Sequence, residues 1–284
     1  MAVTSAKPWV CPTCHCEVAT PFCPACGERP LAPRDLTLGG MLAQLFHAFT
    51  NVDGRLIQSF RCLLNRPGAL TVAYVNGRRA SYIGPFQLFL LANVLFFAAQ
   101  SLTGVNIVGV TMDSHLNGQD WSSLAQELVA KRLDALQTTM EDYAPVFNQV
   151  IVLNAKTLII LMVAPFALLL PLTFYGERKP FVTHLTFSLH FHAFLLLLFC
   201  VSLAVGAVHV LLGGTGLQSA RLDNVLSGIN FAAAALYLYV ATGAVYGARG
   251  GLRVVQVLAL TAGAAAIFLA YRFLLFLITL YSTP

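Results

Sequence analysis

Residues 183–199 read THLTFSLHFHAFLLLLF, three histidines inside a run that stays apolar as far as residue 212. A helix rising 1.5 Å per residue needs about 20 mostly apolar residues to cross the hydrocarbon of a bilayer. This run exceeds that length, and its length argues against a strand. At about 100° per residue, His184, Ser188 and His192 share one stripe, and Thr183, Thr186 and His190 share a second on roughly the opposite side. His190 and His192 then point about 160° apart, so the pair cannot chelate one ion. Polar groups on two sides would cost several kcal/mol each in lipid. The helix is therefore expected to be central, with neighbours on both sides.

The rest of the chain extends this reading. Its 284 residues are 57% hydrophobic and only 10% charged, with a mean hydropathy of +0.73, whereas soluble domains carry roughly 25% charge. The expected class is all-α, a polytopic membrane helix bundle with a small N-terminal zinc-knuckle head. Five segments are long and apolar enough to span: about 84–103, 154–175, 184–212, 229–247 and 254–280. Twelve of the seventeen Lys and Arg residues precede the first span or follow the second and fourth. By the positive-inside rule that side is cytosolic, which puts the N-terminus inside and the C-terminus outside. The opening residues lack the apolar core of a signal peptide, so the head is expected to stay in the reducing compartment of synthesis. The basic residues are scattered rather than gathered on one face, which argues against nucleic acid as a partner.

Three regions are expected. Residues 1–30 form a cytosolic zinc-ribbon-like knuckle, 31–82 a linker with amphipathic, interfacial helices, and 83–284 the transmembrane bundle. In the linker, Met41, Leu42, Leu45, Phe46 and Phe49 make one helical stripe, and Leu56, Phe60, Leu63 and Leu64 a second. In the outer loop between the first two spans, Trp121, Leu124, Leu128, Leu136, Met140, Tyr143 and Phe147 predict one long amphipathic helix at about 119–149. Pro165 and Pro171 predict a kink in the second span, with backbone carbonyls that neighbours must satisfy.

Cys11, Cys14, Cys23 and Cys26 are written CPTC and CPAC, two tight turns that can aim four thiolates at one tetrahedral ion, here expected to be structural zinc. A reducing compartment disfavours disulfides. His15 and Cys16 stay open at this point as alternative ligands. The membrane histidines His184, His190 and His192 are either satisfied by neighbours or line a polar path for an ion or solute. No span holds an Asp or Glu, which weakens the path. Asn93, Gln100, Asn154 and Asn230 read as hydrogen-bonding glue, and Arg272 as able to snorkel outward. No Walker, GxSxG, HExxH or GxGxxG motif proposes a reaction.

Two stretches carry a likeness: RPGALTVAYVNGRRASYIGPFQLFLLANVLFF (66–97) and FVTHLTFSLHFHAFLLL (181–197). With the cysteine head, they resemble an uncharacterised family, a domain of unknown function found in bacterial multi-pass membrane proteins. Its members have a CxxC…CxxC knuckle, a PG…Y…G.R..Y..P motif and a H……H.H membrane helix. The resemblance implies the bacterial inner membrane and no established activity. It departs at Thr183, where members carry a glutamate beside the first histidine. It also directs attention to Arg66, Arg78 and Arg79, placed to contact a lipid or anionic headgroup just before the first span. The expected role is a non-enzymatic scaffold, sensor or assembly factor whose zinc head docks a cytosolic or membrane protein, with a homo-oligomer also open. The alternative is a transporter or channel along the three histidines.

Overall fold

A computed structural model describes residues 8–30, 37 and 54–283. The stretch 41–49, with the first of the two linker helices, lies outside the described residues. The head contains a two-residue hairpin pair, β1 (Trp9–Val10) and β2 (Glu17–Val18), antiparallel with Trp9 opposite Val18. The remaining elements are helical: α1 (Arg55–Asn65), α2 (Ala69–Val75), α3 (Pro85–Thr103), α4 (Met112–Asn117), α5 (Ser122–Leu136), α6 (Met140–Leu158), α7 (Val163–Thr173), α8 (Phe181–Leu211), α9 (Ala220–Tyr246) and α10 (Gly250–Ser282).

Five helices are long and apolar enough to cross a membrane: α3, α6 continued by α7, α8, α9 and α10. Proline at the first position of α3 needs no N–H there, and Gly104 in the left-handed region (φ 68°) ends the helix. α8 is the centre of the bundle and packs against α3, α7 and α9, touching α2 near its start. Thr183, His184, Thr186, Ser188, His190 and His192 are all buried, as its two polar stripes required. Outward-facing Leu102, Leu172, Leu236 and Val255 leave an apolar exterior suited to hydrocarbon.

The second span bends where expected. A 3₁₀ turn, Ile159–Met162, interrupts it just before Pro165, whose ring would clash with the carbonyl of Leu161 in a continuous α-helix. Neighbours bond carbonyls on both sides of the bend: Tyr271 Oη donates to Ala155 O (3.1 Å) and Ser188 Oγ to Val163 O (2.7 Å). Asn154 and Asn230 act as the expected glue, Asn154 Nδ2 donating to Thr279 Oγ1 (2.9 Å) and Asn230 pairing with Ser202.

The single outer helix expected at 119–149 is instead two. Gln137 takes a left-handed conformation (φ 52°) that ends α5. Thr139 then caps α6, its Oγ1 accepting from the Asp142 N–H (3.3 Å) and donating to Asp142 Oδ2 (2.8 Å). Glu141 and Asp142 suit the positive end of a new helix dipole. The leucine and aromatic spacing carried the helical period across this break without revealing it. α6 then runs past Pro145 into the second span, so the amphipathic stretch and the span are one helix.

α4, α5 and the first half of α6 pack on the last turns of α10 through Met112, Val129, Tyr143, Phe147, Phe276 and Leu280. His115 is fully buried in this layer, its Nδ1 accepting from Trp121 Nε1 (3.3 Å). Burial, and then the charge of Arg272, push its pKa down to about 4, so it is neutral at neutral pH. Arg272 lies near enough to His115 in this outer layer for its charge to be felt there. Its guanidinium also lies 6.0 Å from the Phe268 ring centroid one turn back on α10.

Gly68 opens α2 with φ 85°, and a Cβ there would lie 2.9 Å from Ala241 O and 3.1 Å from Ala244 Cβ on α9. Gly68→Ala is expected to destabilise the bundle by about 2–4 kcal/mol, from the left-handed backbone and the overpacking together. The check is a lowered thermal midpoint for the purified protein in detergent.

Candidate metal centre and its docking platform

The two CPxC turns are near copies. In the first, the His15 N–H donates to Cys11 O (2.9 Å) and the Cys11 N–H to Cys16 O (2.9 Å); in the second, Gly27 donates to Cys23 O (2.8 Å) and Cys23 to Glu28 O (2.7 Å). The residue after each second cysteine is left-handed, His15 at φ 60° and Gly27 at φ 73°. These turns bring Cys11 Sγ to 3.4 Å from Cys26 Sγ, Cys14 to 3.4 Å from Cys23, and Cys26 to 3.8 Å from Cys14. Thiolates 2.3 Å from one tetrahedral ion sit about 3.8 Å apart, so the set fits a metal. Among the described residues, these four cysteines are the cluster of three or more side chains able to hold an ion.

His15 and Cys16 are outside that cluster. Both are exposed, and Cys16 Sγ turns to the Cys14 carbonyl at 3.8 Å. The Glu28 backbone draws the Cys26 thiol down, but burial and the neighbouring thiols outweigh it and push it up to about 12. Four thiols so close cannot all ionise unless a cation is present to offset the charge.

Glu28 is the residue that sequence reading missed. It is 4% exposed, and one carboxylate oxygen, Oε2, accepts from Thr13 Oγ1, the Arg79 N–H and the Ala80 N–H, each at 2.9 Å. Thr13 belongs to the first cysteine turn and Glu28 follows the second, so this oxygen ties the turns together and fastens them to the loop before α3. A buried carboxylate needs such donors to offset its desolvation. The sequence signal was the turn repeat: Glu28 holds the place in the second turn that Cys16 holds in the first.

The loop that receives Glu28 is braced from below. Gly77, at φ 81°, ends α2 as its N–H donates to Tyr74 O (3.2 Å), and the Arg78 N–H donates to Ala73 O (2.9 Å). The Arg79 guanidinium lies 4.4 Å from the Tyr74 ring centroid. The Ile83 N–H donates to Ser59 Oγ on α1 (3.1 Å). Arg66 and Arg78 are exposed and Arg79 is half-buried, so the three arginines ring the platform while the loop's own amides hold the head.

The histidines separate. His184 Nδ1 bonds Tyr246 Oη on α9 (2.8 Å), and His190 Nδ1 bonds Thr71 Oγ1 on α2 (2.9 Å). His192 Nδ1 donates to Ser188 O one turn back (2.8 Å). The expected divergence of His190 and His192 is present, one facing α2 and the other Phe166 of α7. Among the described residues, no hydrogen bond joins two of these imidazoles. The Thr183 and Thr186 hydroxyls are buried without a partner among the described residues.

Residues 53–97 match a family model described as a protein of unknown function, DUF3667. No curated protein and no solved structure matches the chain. The matched stretch runs from just before α1 through α2 and the Glu28-binding loop into α3, so it coincides with the platform on which the head sits. The expected likeness to a family of unknown function is thus found at the PG…Y…G.R..Y..P motif.

Replacing Glu28 by Ala should release the head while leaving the bundle intact. In a Trp121→Phe background Trp9 is the sole tryptophan, and its time-resolved anisotropy is expected to fall from that of the whole particle to that of a small tethered unit. Anisotropy unchanged by Glu28→Ala would mean that this carboxylate does not hold the head.

Proposed function

We propose that the chain is a non-enzymatic membrane scaffold or sensor whose zinc-stapled head is held at one end of the bundle to engage a protein partner. The Glu28 carboxylate supports this reading most directly, because a head fastened to the bundle presents a defined surface. Val10, Cys16 and Phe22 are exposed on that surface. Zinc is the ion that suits four thiolates in a tetrahedral site, and a site with four protein ligands has a structural role. Its chemistry here would be to fold a segment too small to fold alone.

Basic residues support the bacterial inner membrane with this end in the cytosol: Arg29, Arg61, Arg66 and Arg78 lie at the head end with Arg178, Lys179 and Arg249 of the loops beside it. Arg66, Arg78 and Arg79 would face lipid phosphates there. The separate hydrogen bonds of His184, His190 and His192 favour a structural role for these imidazoles over a shared path.

Two measurements test the proposal. Metal analysis of the purified full chain is expected to find about one zinc per protein, lost in Cys14→Ser. Crosslinking in native membranes is expected to recover a protein partner with the full chain and to lose it when residues 1–30 are removed, with insertion unchanged. An unaltered partner set after that deletion would contradict the docking role.

A further inference from the structure

Between α8, α9 and α10 lies a cavity of about 270 Å³, closed at its inner end by Phe89 of α3 and the bend of the second span. An apolar cavity of about 150 Å³ already accepts benzene, so this one has room for a substituted ring or a branched chain. Ser227 and Phe231 on α9 and Ala265 on α10 line it and are also exposed. These positions lie within spanning helices, so the opening faces hydrocarbon and a ligand would enter from the bilayer.

Its walls are mostly apolar, and two buried polar side chains on them have committed their hydrogens elsewhere. His192 Nδ1 donates to Ser188 O at 2.8 Å, which fixes the neutral tautomer and leaves Nε2 as an acceptor. Thr261 donates its hydroxyl to Val257 O at 2.8 Å, so its oxygen is left to accept. Asn230, half-buried on the same wall, is paired with Ser202, and Ser227 lies at the exposed rim. The buried end therefore offers acceptors within an apolar enclosure and asks its occupant for a donor.

We propose that this cavity binds a membrane-dissolved apolar molecule bearing a hydroxyl, a phenol or quinol on one hand or an isoprenoid alcohol on the other, with that hydroxyl donating to His192 Nε2. The inference is independent of the zinc head and of the scaffold reading.

The full chain in nanodiscs, titrated with decyl-benzoquinol, with farnesol, and with the dimethyl ether of the first and the methyl ether of the second, tests this by native mass spectrometry. At least one of the two alcohols is expected to bind saturably, and its ether about tenfold more weakly, the effect of one buried hydrogen bond. Which alcohol binds separates the aromatic from the isoprenoid source. His192→Phe is expected to erase the difference between alcohol and ether, and Ala264→Phe, which fills the cavity and leaves His192 in place, to abolish binding of both. The proposal is overturned if neither alcohol binds saturably, if alcohol and ether bind the wild-type chain equally, if His192→Phe keeps the preference, or if Ala264→Phe binds as before. The wild-type comparison decides alone should a variant fail to fold.

Discussion

Hydrocarbon supplies no hydrogen bonds, and α8 carries three imidazoles and three hydroxyls through its first three turns. Each such group left alone would cost several kcal/mol. Tyr246 on α9, Thr71 on α2 and the Ser188 carbonyl on α8 itself answer the histidines, while Ser188 reaches across to α7. These four groups draw α2, α7 and α9 around one helix, while the Thr183 and Thr186 hydroxyls stay without a partner among the described residues. The short α2, too brief to cross a bilayer, is held against the bundle by the Thr71–His190 bond together with the burial of Leu70, Ala73 and Tyr74.

Through α2 the membrane core and the cysteine head become one mechanical unit. Thr71 anchors α2 to α8, the end of α2 shapes the loop 76–84, and two amides of that loop hold the Glu28 carboxylate. The cysteine turns position Glu28, since the Cys23 N–H donates to its carbonyl. Loss of the metal would loosen those turns and with them the carboxylate. A chain built this way couples its head to the bundle through a few short contacts.

Much of this was legible in the residues. Continuous apolar runs mark spans because their length alone meets the thickness of a bilayer, and the two polar stripes of 183–192 announced a helix buried on both sides. The CPxC pairs announced four converging thiols because tight turns are local. What escaped was long-range or single-residue. Glu28 carries no motif of its own, and nothing near it in sequence names Arg79 and Ala80, some fifty positions away. Thr71 and His190 are likewise distant. The break at Gln137 escaped because a left-handed residue with a threonine cap leaves the helical hydrophobic period on either side intact. The arginines drew attention as side chains, whereas the loop binds its carboxylate with backbone.

Amide hydrogen exchange over residues 76–84, compared in the metal-loaded full chain and after chelation, tests most directly the claim that the metal-binding head is latched to the bundle. The account predicts slow exchange at Arg79 and Ala80 with metal bound, rising at least tenfold when the metal is removed, while the amides of α8 remain protected. Exchange at those two amides that is fast from the outset, or indifferent to the metal, would contradict it.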